Sequence, residues 1–117
     1  MAKNTRRYRR LRQPPILNKG YVRVAKTCIS LPFEYAVYIG RPGHVDLLVD
    51  DETRALLIIA SDERAGRTLH CRAKRFRCYI DIAAEERPLL KRGLYTPITE
   101  HDRVVKERVI KLVDAIL

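Results

Sequence analysis

Periodic order in the hydrophobic pattern begins at Gly20. Tyr21 to Lys26 alternates, with Val22 and Val24 on one face and Arg23 on the other, as a half-buried strand would. Ser30-Leu31-Pro32 then reads as a helix start, with Ser30 as N-cap and Pro32 in the first turn, where a missing N–H costs little. Phe33 to Ile39 supplies two helical turns, and Gly40 is the stop. The clearest hairpin comes next: His44 to Val49 and Ala55 to Ala60 flank the polar turn Asp50-Asp51-Glu52-Thr53-Arg54. These are the most apolar runs in the chain and predict the core. A more polar pair, Thr68 to Arg72 and Phe76 to Ile82, is joined through Ala73-Lys74-Arg75.

The remainder divides into an open stretch and a patterned one. Ala83-Ala84-Glu85-Glu86 reads as a helix opening, while Pro88, Gly93 and Pro97 interrupt any continuation, so residues 83–97 stay ambiguous. Thr99 and Asp102 resemble a capping box. Val105, Val109, Leu112, Val113 and Ile116 then fall on one stripe at helical spacing, opposite Lys106, Glu107, Lys111 and Asp114. The predicted fold class is therefore α+β: a small antiparallel, hairpin-rich core or barrel with a short internal helix and an amphipathic C-terminal helix. At 117 residues there is room for one core. Residues 20–117 are expected to form a single domain behind a flexible basic arm over residues 1–19.

Charge adds a partner to this picture. The formal charge is +10 and the sequence pI about 10.0. No acid precedes Glu34, whereas nine bases do: Lys3, Arg6, Arg7, Arg9, Arg10, Arg12, Lys19, Arg23 and Lys26. From Glu34 onward 15 bases face 14 acids, so a nearly neutral body carries a basic leader. Arg6-Arg7-Tyr8-Arg9-Arg10 sets an aromatic among guanidinium groups, which bind phosphates bidentately while Tyr8 stacks on a base or sugar. A second cluster, Arg64, Arg67, Arg72, Lys74, Arg75 and Arg77, contains no acid and places several bases at a hairpin tip. The alternative for this cluster is an edge strand whose charges discourage pairing with other chains.

The chemistry of catalysis and of metals is hard to find in the chain. Asp50, Asp51 and Glu52 are consecutive in a turn and point in different directions, and His44, His70 and His101 are scattered. His101 is expected in the first turn of the C-terminal helix. No glycine-rich phosphate loop or nucleophile motif occurs. Cys28, Cys71 and Cys78 lack the close ligand pairs of structural zinc and read as reduced, small hydrophobic residues. The expectation is a non-enzyme without cofactor or metal. With no run of roughly 18 apolar residues and no secretory signal, the expected location is the cytoplasm, away from membranes.

Residues 21–61 resemble the swapped-hairpin domain of AbrB-like transition regulators and MazE-type antitoxins. The matching words are Val24-Ala25-Lys26-Thr27-Cys28-Ile29-Ser30-Leu31-Pro32, a short helix ending at Gly40, Pro42-Gly43, the strand to Val49, an acidic turn, and Leu56-Leu57-Ile58. Cys28 stands where that pattern usually has glycine, and Glu34 where bases are common. The resemblance implies an obligate dimer that exchanges hairpins, with Arg23, Lys26 and Arg41 on its DNA-facing side.

Together these features predict a small basic nucleic-acid-binding protein, a DNA-binding transcriptional regulator of a phage or plasmid, acting as a homodimer through its sheet or C-terminal helix. Its expected contacts are Arg6, Arg7, Tyr8, Arg9, Arg10, Arg12, Lys19, Arg23, Lys26, Arg72, Lys74, Arg75 and Arg77. The second reading is a phage-encoded inhibitor of the anti-CRISPR type, bound to a ribonucleoprotein effector or its RNA, and the third, behind it, is a ribosome- or RNA-associated structural protein.

Overall fold

The computed structural model describes residues 20–62, 66–72 and 76–116. Ten strands are found among them: β1 Val22–Val24, β2 Cys28–Pro32, β3 His44–Val49, β4 Leu56–Ser61, β5 Arg67–Thr68, β6 His70–Arg72, β7 Arg77–Asp81, β8 Gly93–Tyr95, β9 Ile98–Asp102 and β10 Glu107–Leu112. One short helix, α1 Phe33–Tyr38, and a 3-10 segment over Ala84–Leu89 accompany them. The strands form two antiparallel five-stranded sheets, in the orders β6-β7-β2-β1-β8 and β5-β3-β4-β10-β9.

Two bent segments make the sheets one object. Only Leu69, itself buried, separates β5 in the second sheet from β6 in the first, and its N–H extends the β5–β3 ladder to the Gly43 carbonyl at 3.0 Å. At the other side β8 pairs with β1, β9 pairs with β10, and Tyr95 bridges to Ala115 beyond the end of β10. Following neighbours from β1 through β2, β7, β6/β5, β3, β4, β10 and β9/β8 returns to β1. The hydrogen-bonded circuit is closed within one chain. Strands that change sheet at a bend are the usual way to turn such corners.

The core lies between the two sheets. Val22, Val24, Ile29, Leu31, Cys78 and Ile80 of the first meet Val45, Leu56, Ile58, Ile110 and Leu112 of the second in one buried cluster. Strand parity explains the selection. In β1 and β2 every second residue is buried, so Arg23, Cys28 and Ser30 face outward.

The α+β expectation is overturned at the C-terminus. Residues 98–112 form the β9–β10 hairpin, not an amphipathic helix, and His101 lies on a strand. Ile98, Thr99, Val104, Val105, Val109 and Ile110 are β-branched and pack well on a pleated surface. Ile110 and Leu112 point into the core opposite Ile58 and Leu56 of β4. The architecture is mostly β.

Smaller corrections accompany this one. The helix at 33 forms as expected, but Ser30 lies in β2 and Pro32 occupies the N-cap without a side-chain bond. Its end is a Schellman arrangement: Gly40, at φ +95°, donates to the Val37 carbonyl, and Arg41 donates to that of Ala36. Cys71 and Cys78 face each other across β6–β7 and are joined as a disulfide, against the reduced reading, while Cys28 is free and half-buried. Among the described residues no helix is long and apolar enough to cross a membrane.

Candidate nucleic-acid interface

The outer face of the first sheet gathers the charges that strand alternation excludes from the core. Cross-strand register aligns Arg23 with Ser30, Ser30 with Tyr79, and Tyr79 with His70 in one row. In the next row Arg72 stands beside Arg77. Asp81 is the acid at the far end of β7, where its carboxylate approaches His70 Nε2 at 3.5 Å. Lys26 lies exposed at the tip of the β1–β2 hairpin, toward that same end.

The expected contact residues divide by role. Arg23 and Arg72 are exposed, and the Arg72 guanidinium lies over the Tyr79 ring at 5.9 Å from its centroid. Such stacking leaves guanidinium edges able to bind phosphate. Arg77 instead braces the sheet. Its Nε donates to Ser30 Oγ at 2.7 Å, and its Nη2 donates to the carbonyls of Ser30 at 3.0 Å and Tyr21 at 3.2 Å. Partial burial lowers its pKa from the ordinary guanidinium value, opposed by Tyr79. Arg67 is likewise committed, in an ion pair with Glu86, whose carboxylate also accepts the Ala83 N–H. Arg6, Arg7, Tyr8, Arg9, Arg10, Arg12, Lys19, Arg64, Lys74 and Arg75 lie outside the described residues.

Tyr79 belongs to this face and Phe76 directly precedes β7, and neither was among the expected contacts. Tyr79 is half-buried at its centre, and Phe76, 73% exposed, ends the loop between β6 and β7. The alternation of aromatic and basic residues from Arg72 to Tyr79 repeats the pattern of the N-terminal arm, and that is the sequence signal for both. The Phe76 carbonyl accepts the Phe33 N–H at 2.8 Å, which ties the chain just before β7 to the start of α1. Arg41, at φ +52°, sits over the Phe33 ring at 5.1 Å, so a further guanidinium reaches this end of the barrel.

The outer face of the second sheet differs in character. It carries Asp46, Glu100, Asp102 and Glu107, with Lys111 within 3.9 Å of Glu100. On that face carboxylates outnumber basic side chains. A cleft of about 490 Å³ beside the 3-10 segment is lined by Val24, Leu56, Leu90, Tyr95 and Leu112, with Arg54 and Lys91 its charged members. Among the described residues no group of three His, Cys, Asp or Glu side chains is placed to hold a metal ion. Comparison with protein-family models, with curated proteins and with solved structures finds no match to this chain.

Proposed function

We propose that the protein binds nucleic acid through the outer face of its first sheet, with the basic N-terminal arm supplying further phosphate contacts, and that it serves as a DNA-binding regulator. One observation carries the reading. A single sheet face brings Arg23, Arg72 and Tyr79 together, with the exposed Phe76 directly before β7, while the opposite sheet presents carboxylates. Guanidinium groups set among aromatics offer phosphate and base contacts at once. The arm contributes affinity that depends on charge alone, and the folded face supplies whatever discrimination exists.

The test is binding to a labelled duplex across a salt series. Replacing Arg6, Arg7, Arg9 and Arg10 together by alanine should lower affinity and reduce the log–log salt slope by about 0.9 for each phosphate no longer neutralised. Replacing Arg23 and Arg72 by alanine should weaken binding with the arm intact. A wild-type protein that retains no duplex and no single strand at low salt refutes the proposal. A footprint on a defined DNA site is the expected result for the regulatory role.

A further inference from the structure

Three hairpins of this barrel are joined by connections of equal length. Register places Asp50 opposite Ala55, Arg72 opposite Arg77, and Asp102 opposite Glu107, so that four residues connect each pair of strands. In each loop the fourth residue lies in the left-handed region: Arg54 at φ +63°, Phe76 at φ +52° and Lys106 at φ +63°. Glycine favours that conformation and a bulky side chain resists it. Two of the three positions hold long basic side chains whose ends reach water. The third holds a phenylalanine, which suffers both the backbone conformation and exposure of its ring. Bulky residues kept in such a conformation concentrate at functional sites.

The neighbours of the ring define its chemistry. Phe76 directly precedes Arg77, which pairs with Arg72, and its carbonyl accepts the Phe33 N–H. The disulfide between Cys71 and Cys78 clips the two strands one residue pair below the loop. From Arg64 to Ile80 the chain contains no acid. An exposed aromatic ring in a cationic stretch of chain, its own backbone held at Phe33, is suited to a π-face that carries negative charge beside it.

Building on the proposed nucleic-acid face, we infer that Phe76 is a base-stacking residue, and that the protein selects targets offering an unstacked base. That base is supplied either by a single strand or by an unpaired position within a duplex, where an apolar side chain can be wedged between the flanking pairs. The sheet face and arm hold the phosphates, and Phe76 chooses where along the polymer the protein rests.

The experiment compares three labelled DNAs of matched length across a salt series: a continuous duplex, the same duplex with a single unpaired 2-aminopurine, and the corresponding single strand. Wild-type protein should prefer the two DNAs with an accessible base and should quench the 2-aminopurine. Phe76→Ala should lose about 5- to 100-fold in affinity for them while its continuous-duplex affinity and salt slope stay unchanged. Phe76→Trp should retain the preference. Phe76→Gly, which suits the backbone conformation, should lose it in a protein at least as stable. Preference for the single strand alone assigns a single-stranded target, and preference for both assigns a wedge. Equal binding of all three DNAs by wild type, or an undiminished preference in Phe76→Gly, overturns the inference while leaving the nucleic-acid reading standing. Absence of binding to every DNA removes both. Loss on Phe76→Ala of a nuclease-resistant protein complex, with DNA binding intact, assigns the ring to a protein contact and overturns it too.

Discussion

Arg77 and Ser30 show how far a side chain's role departs from its type. Arg77 belongs to a basic run, but its partners at Ser30 and Tyr21 turn it into a brace across β7, β2 and β1. Ser30, expected as a helix cap, is the acceptor of that brace. Asp50 is the reverse case, an exposed acid with a definite structural duty. Its Oδ1 accepts the N–H groups of Glu52 at 2.8 Å and Thr53 at 3.2 Å, and these bonds hold its pKa below the usual 3.8. A carboxyl whose folded pKa is depressed contributes stability above its unfolded value, and that contribution is lost as pH falls through the folded value. Asp50→Asn keeps an acceptor but has no charge to lose. Its stability deficit relative to wild type should therefore be present at neutral pH, begin to shrink near pH 3.8 and vanish only below the depressed folded value, as read from urea midpoints across an acid series.

At the scale of elements, the loop of the β9–β10 hairpin explains why the C-terminal segment deceives. Asp102 Oδ1 accepts from Val104 at 2.8 Å and Val105 at 2.9 Å, the same chemistry that caps a helix, but here it closes a turn. The Lys106 N–H donates to the Asp102 carbonyl at 2.7 Å, as Arg54 does to Asp50 at 2.8 Å. Pairs such as Val109 and Leu112 satisfy helical spacing, and Ile110 with Leu112 satisfies strand alternation equally well. Lys106→Gly separates the two: in a helix interior it would cost about 1 kcal/mol, whereas at φ +63° it should be neutral or stabilise by up to about 1 kcal/mol. Thermal melts of the variant decide it. The β3–β4 hairpin was legible because its apolar runs and polar turn agree, and β1 because its residues alternate, whereas β6–β7 was legible without turn residues to support it. The sheet each strand joins was not, since pairing partners are chosen by contacts far apart in sequence.

For the whole molecule, closure of the strand circuit depends on a small seam. The Tyr95–Ala115 bridge and the bond from the Ile116 N–H to the Leu94 carbonyl at 2.7 Å join the end of β10 to β8. Ile116→Pro removes that donor, and the barrel should lose about 1 kcal/mol. Amide exchange should accelerate in β8 and β1 while β3 and β4 remain protected. Closure also determines which charges share a surface. Arg23 and Arg72 are far apart in the chain, and only the β1–β2–β7–β6 order sets them on one face with Tyr79. The sequence by itself determined the charge partition, the apolar strands of the core and the short helix, because each is local in composition or periodicity. The tertiary structure decided the all-strand C-terminus, the Cys71–Cys78 pairing, the retirement of Arg67 and Arg77 into structural bonds, and the emergence of Phe76 and Tyr79 beside the remaining bases. Each of those depends on which strands lie next to one another, and long-range hydrogen bonding and core packing settle that choice where local periodicity fits two answers.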